Sequence, residues 1–172
     1  LIEYTKRFAP TTKEYQILKM YQFSCFCGLR FSDAMDLEWR HIDFQNNLIR
    51  KVMIKTKTEV ITPLFPMACE ILLEKIRNNA INEFDKVFYQ FSEPTVNQTL
   101  RKQTRLAGID KHITYHSSRH TFATLSLALG IDLYTVCKLL GHKNIISTQV
   151  YAKIIDASKR QAIDRFNGVL DA

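Results

Sequence analysis

Several basic side chains and one phenol occur at fixed separations in the last third of the sequence. His116 and Arg119 are about one helical turn apart, and His120 follows directly. His142 ends a Leu-Gly-His tripeptide, and Tyr151 follows it by nine residues. Guanidinium and imidazole groups bind phosphate oxygens, and a tyrosine hydroxyl is a nucleophile that forms covalent intermediates. The pattern therefore indicates chemistry on a phosphate ester.

The two neighbouring histidines also allow a metal hypothesis. His116 and His120, at positions i and i+4, would lie on one side of a helix, as zinc ligands do. The metalloprotease pattern places Glu directly after the first histidine, whereas this chain has Ser117. No third ligand follows at a useful spacing, so zinc is the weaker interpretation.

A further element lies upstream, where Arg30 follows a Gly-Leu pair and Asp33 follows shortly after. Together with a lysine in a predicted hairpin, His-x-x-Arg, Leu-Gly-His and the tyrosine, it completes an ordered set. This set resembles the tyrosine recombinase (phage integrase) family, from about residue 10 to residue 166. The resemblance implies that family's catalytic fold, which is α+β, mainly α, with a small antiparallel β-sheet or hairpin on one side.

The resemblance implies DNA strand cleavage and rejoining. Tyr151 would attack the phosphate and form a 3′-phosphotyrosyl intermediate, while Arg30 and Arg119 would bind non-bridging oxygens in bidentate fashion. Lys55 would protonate the 5′-hydroxyl leaving group, and Lys57 is the second candidate for this role. On local sequence alone, both lysines would be ordinary solvated charges at the edge of a sheet.

The remaining roles are also implied by the resemblance. His116 would assist proton transfer at Tyr151 and bind the phosphate, and His142 would hydrogen-bond the phosphate. Asp33 would orient the cations, a position where many relatives carry Glu, and His120 would be structural. No metal and no other cofactor would be needed, because arginines supply the charge that a divalent ion otherwise provides.

Helices must position these side chains, and they are predicted from apolar residues spaced three and four apart. The helix 15–27 begins after a cap at Thr11 or Thr12 and stops at Gly28, which would fix Arg30 just outside a buried helix end. Ser32 is expected to cap a short helix, 33–37. The further predicted helices are 66–77, 94–107, 116–129, a helix from a cap at Asp132 to Gly141, 145–152 and a tail helix, 156–167.

Two strands, 48–55 and 60–62, are predicted from β-branched residues, with a turn at 56–58 and a stop at Pro63. Lys55 would therefore lie near the tip of a hairpin. In helix 66–77, one face is predicted to carry Cys69, Leu72, Leu73 and Ile76. The four cysteines form no C-x-x-C pair and are interpreted as buried free thiols of a cytosolic protein.

The charge balance favours a polyanionic partner, since the net charge is +7 and the isoelectric point is about 9.3. Arg101, Lys102 and Arg105 form a basic face on helix 94–107, which is either simply solvated or a contact for the DNA backbone. The expected partner is a double-stranded DNA recombination site. Strand exchange between two sites would require a homotetramer, assembled through the tail helix, with accessory DNA-bending proteins as further partners.

The chain has 172 residues and 46% hydrophobic content, enough for one domain with a core. No run of about 18 apolar residues is present, so no membrane span is expected. Residues 1–10 are interpreted as the end of a linker from an absent N-terminal DNA-binding domain, and residues 11–172 as the catalytic domain. A cytoplasmic, nucleoid-associated protein is predicted. Two functional alternatives remain, a type IB topoisomerase-like enzyme and a catalytically silent DNA-binding module.

Overall fold

The computed structural model describes residues 1–77, 80–142, 144 and 151. Helices dominate, and a small three-stranded sheet lies among them. The helices are α1 (Ile2–Thr5), α2 (Lys13–Cys27), α3 (Phe31–Met35), α4 (Pro66–Arg77), α5 (Glu93–Leu106), α6 (Ser117–Ala128) and α7 (Leu133–Leu139), with a 3-10 turn at Trp39–His41. The strands are β1 (Ile42–Asp43), β2 (Leu48–Val52) and β3 (Glu59–Pro63).

Helix α2 is the centre of the fold, and it contacts α4, α5 and α6. Ile17, Leu18 and Phe23 are fully buried on it, as expected for a helix surrounded by other elements. The Thr12 side chain caps its first turn by accepting the Tyr15 N–H at 3.3 Å. Gly28 ends it in the left-handed conformation, at a φ of 68°. The predicted cap and stop are both confirmed.

The sheet is an antiparallel meander in the order β1-β2-β3, and Lys51 on β2 pairs with Val60 on β3. The predicted strand 48–55 is too long. Strand β2 ends at Val52, because the chain turns at residues 54–56 and the Met53 N–H donates to the Thr58 carbonyl at 2.9 Å. The hairpin tip therefore starts earlier than predicted, and Lys55 lies within the turn itself.

The predicted cap at Ser32 is wrong. Helix α3 begins at Phe31, and Arg30 is its N-cap residue without a side-chain cap hydrogen bond. Asp33 is thereby placed in the first turn, where it is fully buried. The helix starts early because the extended Arg30 backbone directly follows the Gly28 turn.

Helix α4 has the predicted bounds, and its buried face was predicted correctly only in part. Ala68, Ile71 and Leu72 are buried, whereas Leu73 is 42% exposed. Cys69 and Ile76 are only partly buried, so Cys69 is not the buried thiol that the sequence indicated. Helix α4 carries apolar residues on more than one side. Its contact with α2 determines which of them are buried.

The other three cysteines, Cys25, Cys27 and Cys137, are buried free thiols as predicted. Helices α5 and α6 lie within one residue of their predicted ends, and Asp132 caps α7 through the Thr135 N–H. The predicted helix 145–152, apart from Tyr151, and the tail helix 156–167 lie outside the described residues. Within the described part of the chain, none of the helices combines the length and apolar character that a membrane crossing requires.

Candidate active site

Arg119 is almost completely buried at the start of α6, with 3% exposure. One of its nitrogens, Nη1, donates to the carbonyl oxygen of Gly28, and Nη2 donates to that of Leu140 at 2.8 Å. Gly28 and Leu140 are the C-cap residues of α2 and α7. Carbonyl groups at helix C-termini carry partial negative charge, so they stabilise a buried guanidinium. Burial, followed by the nearby Arg30, lowers the pKa of Arg119 to about 10, which leaves it charged at neutral pH.

Arg30 lies beside Arg119, just beyond the end of α2. Its Nη2 is 3.5 Å from the Gly141 carbonyl, and its Nη1 is 3.9 Å from Oδ2 of Asp33. Neither this Nη1 nor this Oδ2 has a hydrogen-bond partner among the described residues, although both are buried. The two atoms therefore face each other as an ion pair, without a hydrogen bond between them.

The other carboxylate oxygen of Asp33 is paired. Its Oδ1 accepts the backbone N–H of Ile54 at 2.7 Å. This bond ties the β2–β3 hairpin to the first turn of α3, and Lys55 is the next residue along the hairpin. Lys55 and Lys57 are both exposed, and Lys57 has a φ of 54°, in the left-handed region. One buried carboxylate thus links Arg30 to the turn that carries Lys55.

His142 lies against Arg119, whose Nη2 is 3.0 Å from the Nε2 atom of the imidazole. A guanidinium can only donate, so Nε2 of His142 is the acceptor and the ring proton is on Nδ1. Burial, then Arg119, Arg30 and His116, lowers the pKa of His142 to about 4. The imidazole is therefore neutral at physiological pH.

Tyr151 is 8% exposed and packs against an apolar cluster that includes Phe122, Val136 and Leu140. Its hydroxyl is 2.7 Å from Nδ1 of His120. Burial raises the pKa of the phenol, and the Arg119 charge acts in the opposite direction. The structure therefore brings the predicted tyrosine to the helix that carries both histidines and Arg119.

His116 and His120 face each other on α6, as their spacing predicts. The two rings meet edge to face, with centroids 4.9 Å apart. Desolvation, then the neighbouring His120, Arg119 and Arg30, lowers the pKa of His116. The described residues contain no group of three or more His, Cys, Asp or Glu side chains that could hold a metal ion.

The contact between His120 and Tyr151 was missed by sequence reasoning, which gave His120 a structural role. The i, i+4 spacing did indicate that His120 shares a helix side with His116. The separation of 31 residues from Tyr151 gave no signal for the contact.

The predicted basic face of α5 is exposed, as its amphipathic pattern indicates. Arg101, Lys102 and Arg105 are at the surface, and Val96 and Leu100 are fully buried on the same helix. Arg101 and Arg105 line a surface cleft together with a neighbouring loop that contains Lys111 and His112.

The whole arrangement can be compared with known proteins. The sequence matches the profile of the phage integrase family over residues 1–157. The chain belongs to the phage integrase family. A member named tyrosine recombinase, from Pseudothermotoga lettingae, is 33% identical over 156 residues, covering 89% of this chain and 54% of that protein. Tyrosine recombinase XerA from Saccharolobus solfataricus is 38% identical over 128 residues, covering 74% of this chain and 42% of that protein. The chain spans about half the length of these curated relatives.

Solved structures of the integrase family share this fold. The crystal structure of XerA recombinase superimposes with a TM-score of 0.72 at 24% identity, covering 96% of this chain and 59% of that chain. A lambda integrase dimer bound to a core site gives 0.64 at 18% identity, with coverages of 87% and 56%. The predicted fold class, mainly helical with a small antiparallel sheet, is confirmed.

Proposed function

We propose that this chain is the catalytic part of a site-specific DNA recombinase that works through a covalent 3′-phosphotyrosyl intermediate. The observation that carries the proposal is the convergence of two guanidinium groups, a neutral imidazole and a buried phenol. Arg30, Arg119, His142 and Tyr151 come from distant parts of the sequence. A phosphorane transition state carries more negative charge than the ground state, so two fixed guanidiniums stabilise it preferentially.

In the proposed reaction, the Tyr151 oxygen forms a bond to phosphorus as the bond from phosphorus to the 5′ oxygen breaks. Arg30 and Arg119 bind the non-bridging oxygens. Lys55 supplies a proton to the leaving 5′ oxygen, with Lys57 as the second candidate. The exposed position of both lysines on a hairpin tip suits a group that meets DNA only when DNA is bound.

The histidines and Asp33 have supporting roles in this proposal. His142 hydrogen-bonds the phosphate, and His116 assists proton transfer near Tyr151. Asp33 orients the cations, and its contacts with Arg30 and with the Ile54 amide support this role. The charge for the reaction comes from the arginines, so we propose that no metal takes part.

We propose double-stranded DNA as the substrate, with mobile-element integration, excision or inversion as the process. The net charge of +7 and the exposed residues Arg101, Lys102 and Arg105 are consistent with DNA binding. Among proteins of this fold, XerH was crystallised with its palindromic difH substrate after cleavage, and the Tn1549 integrase with circular intermediate DNA. Exchange between two duplexes would need four copies of the protein, with the tail helix as the connecting segment and accessory DNA-bending proteins as further partners.

The test is covalent capture of DNA. The protein is incubated with a library of duplexes that have a randomised core and a nick, so that loss of a short fragment prevents religation. Covalent complexes are then isolated under denaturing conditions and sequenced. We expect adducts with the wild type, no adduct with Tyr151→Phe, and normal adducts with Tyr134→Phe, which alters a tyrosine that is 61% exposed.

An absence of adducts with the wild type, or their survival in Tyr151→Phe, would contradict the proposal. Joining of two captured sites supports a recombinase. Relaxation of supercoiled plasmid without such joining would instead support the topoisomerase alternative.

A further inference from the structure

His120 is in hydrogen-bond contact with the hydroxyl of Tyr151. The distance from Oη to Nδ1 is 2.7 Å, and the ring centroids are 5.7 Å apart. Both the distance and the atoms fit an O–H···N hydrogen bond. His120 is exposed at the surface of α6, whereas Tyr151 is buried, so the pair lies at the boundary between core and solvent.

The direction of this hydrogen bond follows from the chemistry of the two groups. Burial raises the pKa of the Tyr151 phenol, so the hydroxyl keeps its proton at neutral pH. The phenol is therefore the donor, and Nδ1 of His120 is the acceptor. In this neutral imidazole the ring proton is on Nε2.

We propose that His120 is a further catalytic residue, which accepts the phenol proton when Tyr151 attacks the phosphate. The inference deepens the proposed function and rests on it. As the bond from Oη to phosphorus forms, the bond from phosphorus to the 5′ oxygen breaks. The phenol proton moves from Oη to Nδ1 of His120, and the leaving 5′ oxygen takes a separate proton from Lys55.

The geometry favours His120 over His116 as the direct acceptor. The described hydrogen bond to Tyr151 is made by His120, and His116 meets His120 edge to face. His116 can then act one step further away, by exchanging a proton with His120 or with solvent. This sequence keeps the assisting role that the family resemblance implies for His116.

Titratable and charged groups from several elements lie around the pair formed by His120 and Tyr151. His116 on the same helix and Tyr151 contact the His120 ring, and the Arg119 charge acts on both of these groups. Arg30 and Glu93 act on His116 from other elements. When the DNA strand is rejoined, the steps run in reverse and the proton returns from Nδ1 of His120 to the tyrosine oxygen.

The test compares two replacements of His120. His120→Ala removes the acceptor, and His120→Asn keeps an amide oxygen near the position of Nδ1 that hydrogen-bonds but does not take up a proton. His41→Asn is the matched control, because His41 lies in the 3-10 turn Trp39–His41, and the amide oxygen of Asn can accept the Glu38 N–H as Nδ1 of His41 does. Since His120 is exposed, its replacements act on its contacts with Tyr151 and His116.

The single-turnover rate of adduct formation on the nicked-duplex library is measured across a range of pH. We expect both His120 variants to be slowed roughly 100-fold at neutral pH, with His41→Asn unchanged, because a general base typically contributes at least this factor. The difference in rate between the wild type and the His120 variants should become smaller as the pH rises, because hydroxide then removes the phenol proton. A purely positioning role would leave the Asn variant active with an unchanged pH profile.

The inference about His120 is overturned if adducts still depend on Tyr151 but His120→Asn reacts at close to the wild-type rate. A faster rate in either His120 variant would also overturn it. If the wild type forms no adduct at all, the proposed function fails as well, and the two failures are thereby distinguished. Titration of a carbon-13-labelled Tyr151 ring gives a readout without DNA. We expect the Cζ signal and the phenol pKa to change in His120→Ala and to stay constant in His41→Asn.

Discussion

Gly28 connects the packing of the core to the candidate active site at one position. Its φ of 68° ends α2, and its carbonyl oxygen accepts a hydrogen bond from Arg119. A Cβ atom added there would lie 2.7 Å from Cδ1 of Phe122 and 3.1 Å from Cδ2 of Leu140. We therefore expect Gly28→Ala to destabilise the fold and to displace the guanidinium of Arg119.

The size of the effect follows from two contributions. An alanine in the left-handed conformation costs about 1–2 kcal/mol, and the lower entropy of its unfolded chain offsets about 0.4–1 kcal/mol of this. Overpacking against Phe122 adds about 1–3 kcal/mol, because a 2.7 Å contact requires the aromatic ring to move. The free energy of unfolding should fall by about 1–5 kcal/mol in total.

Gly108→Ala is the matched control. Gly108 has a φ of 75°, and an added Cβ would meet no atom within 4 Å, so only the backbone contribution of about 1 kcal/mol applies. Urea unfolding followed by circular dichroism measures both variants. In a Phe122→Ala background, which removes the two ring atoms nearest to the added Cβ, the cost of Gly28→Ala should fall toward that of Gly108→Ala.

Equal losses of stability in the two alanine variants would refute the packing argument. The connection to the active site has a separate readout, because Gly28→Ala should reduce covalent adduct formation and Gly108→Ala should not. Full adduct formation by a folded Gly28→Ala protein would show that the Arg119 contact with this carbonyl is dispensable.

Three further substitutions test the site. Arg119→Lys should lower the free energy of unfolding by about 1–3 kcal/mol and nearly abolish adduct formation, because an ammonium lacks the planar fork whose two Nη atoms donate to two separate helix-end carbonyls; a stable, active lysine variant would contradict this. Asp33→Asn removes the charge facing Arg30 but keeps an oxygen that can accept the hairpin amide. The yield of adduct should therefore fall by about 10-fold or more, while the free energy of unfolding in urea changes less. An unchanged yield would argue against the orienting role of Asp33. Folding lowers the pKa of His142 from 6.5 to about 4. Between pH 6.5 and pH 4 the unfolded chain therefore binds a proton that the folded protein does not, and the free energy of unfolding decreases as the pH falls. Urea unfolding at several pH values should show a smaller slope in His142→Gln, and identical slopes would refute this account.

Much of the fold is predictable because its signals are local. Thr12 and Asp132 cap helices through their own side chains, and Gly28 stops α2 through a backbone conformation that other residues rarely adopt. The fold class was predicted from the family resemblance. The candidate site residues were predicted from the spaced motifs that carry this resemblance. These features depend on a few neighbouring residues or on a resemblance over the whole chain.

The features that were predicted wrongly depend on tertiary contacts. The buried face of α4 is chosen by its contact with α2, and periodicity alone placed Leu73 on that face, where the structure exposes it. The helix after Arg30 starts at Phe31 because of the preceding turn, although Ser32 is the better capping residue by type. The length of β2 is set by the Met53–Thr58 hydrogen bond across the hairpin.

The sequence does not explain how the buried Arg119 and the half-buried Arg30 can lie side by side, whereas the structure does. Guanidiniums repel each other, and removing them from water is costly, so each needs compensating partners. The carbonyls of Gly28, Leu140 and Gly141 provide them at the ends of α2 and α7, and Asp33 adds a full negative charge near Arg30. This compensation is incomplete, because Nη1 of Arg30 is buried without a hydrogen-bond partner among the described residues. In the proposed function, this uncompensated positive charge would attract the phosphate of the substrate.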